Sequence, residues 1–192
     1  SRSASGKTGS SEMLEVLGIR LDLAPAQVAE VFKEAGITFF FAPVFHPAMR
    51  FVAPVRKQLG VPTTFNFLGP LANPAQPIAT ALGVSNLEIA PLMAQELAQR
   101  GRTALVFRSL DGLDEISVTA PTQIWQVCDG EVTETLVDRF VDPGIKIDQL
   151  LGGDAKNNAE VAAALFSGDV SGNLAAIKQV VLLNSAAGIV AY

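Results

Sequence analysis

The 192-residue sequence holds a single cysteine, Cys128, and a single histidine, His46. One thiol excludes an intramolecular disulfide and a cysteine-based zinc cage. One imidazole excludes a histidine-rich metal site. Any metal is therefore expected to be a hard ion held by carboxylates, hydroxyls or a substrate phosphate. Charge is also scarce: charged residues make up 17%, and 14 Lys plus Arg against 19 Asp plus Glu leave a net charge of −5. That balance argues against broad binding to nucleic acid, which needs clustered positive charge. Residues 1–11 lack the apolar stretch of a signal peptide,. Polar residues interrupt every apolar run before the roughly 18 residues of a membrane span. These readings predict a soluble, cytoplasmic protein with no membrane partner. Apolar residues are plentiful at 49%, so a chain of this length can form a single domain, residues 1–192, around a sizeable core.

Periodicity alternates helical and extended segments. Ser10-Ser11 reads as an N-cap ahead of a short helix that stops at Gly18, and Pro25 opens a second helix ending at Gly36,. In that second helix Val28, Val31 and Phe32 have core-facing spacing. Ile37 to Ala42 reads as a buried strand. Pro47 starts another helix, with Met49, Val52 and Leu59 as core candidates. Strands are expected at Ile78–Val84 and Thr103–Phe107, with a helix at Leu87–Arg100 between them. Gln123–Val127 and Glu131–Leu136 read as a hairpin turned by Asp129-Gly130. Helices follow at Asn157–Phe166 and Asn173–Val190, after a surface loop at residues 138–154. The pattern predicts an α/β fold, with a mostly parallel central sheet flanked by helices.

Several segments suggest chemistry. Ser5-Gly6-Lys7-Thr8 matches the end of a nucleotide-binding P-loop, but Ser1 stands where the first glycine is needed and no strand precedes it,. Ser3, Ser5, Gly6, Gly9 and Ser10 still place hydroxyls and open backbone N–H groups before a helix, where an anion is favoured; an ordinary polar terminus has the same composition. Asp114-Glu115 is an acidic pair suited to Mg²⁺, which is commonly held by one or two carboxylates plus phosphate. In a regular strand the two would face opposite ways, so either the backbone bends there or the two hold separate ions. Arg56 suits bidentate pairing with a carboxylate. His46-Pro47 follows the predicted strand at the end where such folds place ligands. Leu68–Pro74 reads as a rigid turn set by Pro70 and Pro74. Each also has an ordinary reading: a solvated acidic turn, a surface arginine, a hydrogen-bonded histidine, a chain reversal.

Taken in order, these segments resemble the anthranilate phosphoribosyltransferases. The resemblance is carried by Arg2-Ser3-Ala4-Ser5, Gly9-Ser10 with Leu14–Gly18, Phe41-Ala42-Pro43 with His46–Met49, and Val52–Arg56. It continues through Phe65–Pro74, Gly112–Ser117, Gly152–Ala155 and Leu182–Ala187, and so covers essentially the whole chain. It implies a fold shared with the pyrimidine nucleoside phosphorylases. The implied activity is transfer of a phosphoribosyl group from phosphoribosyl pyrophosphate to anthranilate, with Mg²⁺, in tryptophan biosynthesis. Carried over, the donor falls to Arg2, Ser3, Ala4, Ser5, Gly6 and Ser10. The metal falls to Asp114 and Glu115. The anthranilate carboxylate falls to Arg56, with His46 and Pro70 lining its pocket and Ser1 at the position of an asparagine that contacts it.

No side-chain nucleophile is expected, since the amine attacks directly and the protein's task is positioning. The family's N-terminal helical domain and its Gly-Thr-Gly-Gly-Asp loop have no counterpart in these 192 residues. The sequence is therefore expected to be a fragment of a longer homodimeric enzyme, inactive by itself. The alternatives are a pyrimidine nucleoside phosphorylase-like enzyme and a non-catalytic ligand-binding relative.

Overall fold

A computed structural model describes residues 8–61, 63–139 and 144–192. Its helices are α1 (Ser10–Val16), α2 (Pro25–Ala35), α3 (Ala42–Phe45), α4 (Met49–Leu59), α5 (Phe65–Leu71), α6 (Ala90–Gln99), α7 (Ala155–Phe166) and α8 (Leu174–Ala191). The strands are β1 (Ala79–Gly83), β2 (Thr103–Ser109), β3 (Thr122–Cys128) and β4 (Glu131–Val137), and a 3₁₀ turn spans Ile147–Leu150. The chain divides into two compact units, residues 1–63 with 152–169 and residues 64–151 with 170–192.

The first unit is helical in its described residues. Gly9 caps α1, and its N–H donates to Glu12 Oε2 at 2.8 Å. Ser10 is thus the first helical residue rather than the cap. Pro25 begins α2 and Gly36 ends it in the left-handed conformation that glycine adopts without strain,. The Gly152–Ala155 motif is a helix start: Asp154 Oδ1 accepts from the Asn157 N–H at 2.8 Å, and the Gly153 N–H donates to Asn158 Oδ1 at 2.8 Å. Helix α7 packs on α1.

Three expectations fail in this unit. The predicted strand at Ile37–Ala42 is unpaired backbone running into α3, and Ile37 is 75% exposed. A strand needs a partner for its backbone groups, and the described residues of this unit include none. In α2 only Val28 is buried, while Val31 and Phe32 are exposed. Leu59 of α4 is also exposed, and Met49 and Val52 are half-buried.

The second unit carries the sheet, in the order β1-β2-β3-β4. Each residue of Ala104-Leu105-Val106-Phe107 is buried, because side chains alternate between two covered faces,. Ala104 and Val106 join Leu82, Trp125 and Val127 against Met93, Ala94 and Leu97 of α6. Leu105 and Phe107 join Ile116 and Ile124 against Ala187 and Ala191 of α8. Burying such aliphatic and aromatic side chains contributes about 2 kcal/mol each.

The α/β class and the flanking helices agree with the sequence reading, but the strand directions do not. Only β1 and β2 are parallel; β2–β3 and β3–β4 are antiparallel. A parallel pair needs a crossover, which α6 supplies between β1 and β2. No helix lies between β2 and β3, so the chain doubles back. The β3–β4 hairpin turns where expected, with Asp129 at φ 51° and Gly130 at φ 81°, the two positive values of a type I′ turn,.

Two further corrections concern helices. Pro70 sits inside α5 rather than in a rigid turn, and the helix ends just after it at the C-cap Ala72. Helix α8, at 18 residues and a mean hydropathy of 1.7, is long and apolar enough to cross a membrane, contrary to the reading that no run qualifies. Here it packs on β1 and β2 through its small residues.

Candidate active site

The connection between β2 and β3, residues 110–121, lies at the carboxyl ends of the parallel pair β1 and β2. Ligands of α/β folds gather at such ends. Three contacts shape it. Ser109 and Thr122 are paired across the ladder and close the loop at its base. The Leu110 N–H donates to the Pro121 carbonyl at 2.8 Å, and the Ser109 N–H to the Leu113 carbonyl at 3.1 Å. Gly112 has φ 99°, a value that lets the chain turn sharply after Asp111,.

Asp111 is the knot of this loop. Its carboxylate accepts from Ser117 Oγ at 2.6 Å, from Thr119 Oγ1 at 2.6 Å and from Ser109 Oγ. Burial pushes the Asp111 carboxyl upward, but the hydroxyls of Ser109, Ser117 and Thr119 outweigh it and hold the group below the usual carboxylate range,. Its oxygens are thus occupied by the loop itself. A depression of about 540 Å³ beside the knot is lined by Asp111, Leu113, Thr119, Ile145, Lys146 and Ile147.

Asp114 and Glu115 sit in the bend of this loop, with both residues exposed. The bend answers the objection that neighbouring side chains of a strand diverge. Surrounding atoms partly desolvate the Glu115 carboxyl, and the adjacent Asp114 charge adds to that effect; together they push it above the ordinary glutamate range,. A divalent cation would relieve that repulsion, and the donors are hard oxygens, so the pair fits Mg²⁺. Among the described residues no group of three or more His, Cys, Asp or Glu could hold a metal. The remaining ligands would have to be water or substrate phosphate.

Two supports of this bend gave no signal in the sequence. Gly83, the last residue of β1, lies directly under Asp114: a Cβ there would overlap the Asp114 carbonyl oxygen and approach the Phe107 ring at 3.3 Å. Arg108 ties the two strand ends together, donating from Nε to the Ser85 carbonyl at 3.0 Å and from Nη1 to the Ser109 carbonyl at 3.1 Å. A glycine in a strand interior suggests a close backbone approach, but only the fold shows what approaches.

The other candidates distribute between the units. His46 is the half-buried residue that ends α3, and its carbonyl accepts from the Met49 N–H at 2.9 Å. Arg56 is half-buried on α4, which carries Pro54 in its interior. Both belong to the first unit, as does Ser10, exposed at the start of α1. Pro70 belongs to the second unit and is exposed on α5. Ser1, Arg2, Ser3, Ala4, Ser5 and Gly6 lie outside the described residues. Ser11, next to Ser10, is buried, and its hydroxyl has no partner among the described residues.

The sequence matches the family described as "Glycosyl transferase family, a/b domain" over residues 1–192. The chain belongs to that glycosyl transferase family. Anthranilate phosphoribosyltransferase of Streptomyces griseus is 50% identical over 192 residues, covering 99% of this chain and 53% of the relative. That of a Nocardioides species is 50% identical over 194 residues, with 100% and 55% covered. This glycosyl transferase chain thus spans about half the length of the curated relatives it matches.

Solved structures agree. Anthranilate phosphoribosyltransferase from Saccharomyces cerevisiae in complex with PRPP and Mg has a TM-score of 0.81 at 25% identity, covering 96% of this chain and 52% of that one. The same yeast enzyme in complex with 4-fluoroanthranilate also scores 0.81, at 26% identity over 93% of this chain and 52% of that one. The resemblance read from the motifs is therefore matched by both sequence and fold.

Proposed function

We propose that this chain is the α/β portion of an enzyme that moves the phosphoribosyl group of phosphoribosyl pyrophosphate onto the amine of anthranilate, releasing pyrophosphate. The observation that supports it most is the half-identical match to anthranilate phosphoribosyltransferases along the entire chain. The acidic bend at the strand ends supplies matching chemistry. Asp114 and Glu115 would hold Mg²⁺, which when bound stabilises negative charge on the departing pyrophosphate. Arg2 through Gly6 and Ser10 would bind the donor's phosphates, with backbone N–H groups adding to the hydroxyls.

Arg56 orients anthranilate through its carboxylate, leaving the amine toward the ribose carbon, and His46 and Pro70 line its route. No covalent intermediate is needed, because the amine is already a nucleophile and the gain comes from alignment. The enzyme works as a cytoplasmic homodimer.

Arg56 gives the direct test, in the protein at the length of its relatives. Arg56→Ala should raise the KM for anthranilate by about tenfold or more, the worth of a charge-assisted pair of about 1.5–3 kcal/mol. The KM for phosphoribosyl pyrophosphate should change little. Equal effects on both substrates would remove Arg56 from the anthranilate site. Quenching of anthranilate fluorescence on binding supports the reading as a whole, whereas thymidine binding with no response to anthranilate would replace it with a nucleoside phosphorylase.

A further inference from the structure

The Leu182–Ala187 segment of α8 belongs to the family resemblance without any role in the chemistry above. Its one amide side chain, Asn184, is half-buried and reaches out of the helix to the acidic loop. Asn184 Oδ1 accepts from the Ile116 N–H at 2.9 Å, and its Nδ2 donates to the Ile116 carbonyl at 3.0 Å. The second Nδ2 hydrogen goes to the Val180 carbonyl of its own helix, at 3.0 Å. Both amide hydrogens and the oxygen are therefore used, and the amide has one satisfied orientation. Asn184 pairs with Ile116 as a neighbouring strand would, through both backbone groups.

Ile116 directly follows Glu115. Its side chain is buried among Phe107, Ile124, Ala187 and Ala191. The next residue, Ser117, is buried and bound to the Asp111 carboxylate. On the other side, the Asp114 backbone rests on Gly83. The two carboxylates thus lie on a short bend pinned at Asp114 from below, at Ile116 by α8 and at Ser117 by Asp111. A bend is the condition under which adjacent carboxylates can serve one ion.

We propose that Asn184 is a positioning residue for the metal pair: by fixing the Ile116 peptide groups it sets where the Glu115 carboxylate stands relative to Asp114. The proposal rests on the metal reading of that pair. Residues behind a metal's own ligands typically contribute ten- to a hundredfold in affinity.

Mn²⁺ binding, followed by electron paramagnetic resonance on the protein at the length of its relatives, tests this. Asn184→Ala should weaken Mn²⁺ about tenfold per folded molecule, and the double substitution Asp114→Asn with Glu115→Gln should abolish the same binding. If the double substitution leaves Mn²⁺ binding intact, the metal reading falls and this proposal with it. If the double substitution abolishes binding but Asn184→Ala binds as the parent does, the positioning role alone is overturned, even if the variant melts earlier. Should Asn184→Ala fail to fold, the parent protein decides. Mg²⁺ should then shift the Asn184 side-chain amide resonance, and an unmoved resonance overturns the proposal.

Discussion

Gly83→Ala is expected to be among the most damaging small substitutions in this chain. The added methyl would occupy the space of the Asp114 carbonyl oxygen and crowd the Phe107 ring. Neither neighbour yields easily. The carbonyl is main chain, in a loop pinned on both sides, and the ring is packed in the core beneath α8. Overpacking of this kind costs about 1–3 kcal/mol and sometimes more, and with backbone as the obstacle a loss of about 3 kcal/mol is expected. The denaturant midpoint should fall accordingly, and Mg²⁺ affinity should fall with it as the bend shifts. Gly188, inside α8 with nothing within 4 Å of an added Cβ, provides the contrast. Gly188→Ala should stabilise by about 0.5–1 kcal/mol through helix propensity. Similar midpoints for the two variants would refute the close-approach account.

Removing the acidic pair should have the largest effect on activity and the opposite effect on stability. In the protein at the length of its relatives, Asp114→Asn with Glu115→Gln should lower kcat/KM by about a hundredfold or more, since electrostatic stabilisation of a leaving group is commonly worth that much. An unchanged Mg²⁺ titration would take the pair out of the metal site.

In the metal-free protein the single change Glu115→Gln should raise the melting temperature near neutral pH. Partial desolvation by surrounding atoms and the Asp114 charge disfavour the ionised Glu115 in the folded state, although the residue as a whole is exposed. The resulting cost is fully present above its raised folded pKa and is relieved as pH falls through that value. Mg²⁺ needs the ionised form, so its affinity should begin to fall on acidification at a higher pH than an ordinary glutamate would give. A Glu115→Gln variant that melts lower than its parent in the absence of metal would contradict this.

What could be read in the sequence was what depends on neighbours along the chain. Pro25 and Gly36 mark α2 because a fixed φ and a positive φ are local properties. Asp129-Gly130 marks the hairpin for the same reason. The β2 strand was legible as a short run of β-forming residues, and the structure buries four of them in succession,. Features set by tertiary pairing were hidden. Residues 37–41 have strand-forming side chains but no strand partner among the described residues, and the direction of β3 depends on how residues 110–121 fold back.

At the site, the Asp114-Glu115 pair stands out in the sequence, but its supports do not. Gly83 lies 31 positions before Asp114 by their residue numbers, and Asn184 lies 68 positions beyond Ile116. Neither separation has a periodicity that could announce the contact.

Strand β3 runs from Thr122, at the base of the acidic loop, to Cys128, at the hairpin end of the sheet. The thiol of these 192 residues is exposed there, at the far end of a seven-residue strand and so six residue steps, or about 20 Å at the usual rise, away,. It is a ready-made attachment point for a nitroxide, a fluorophore or a solid support, the one cysteine in these 192 residues, with a span well suited to measuring how far a paramagnetic ion sits from a fixed reporter.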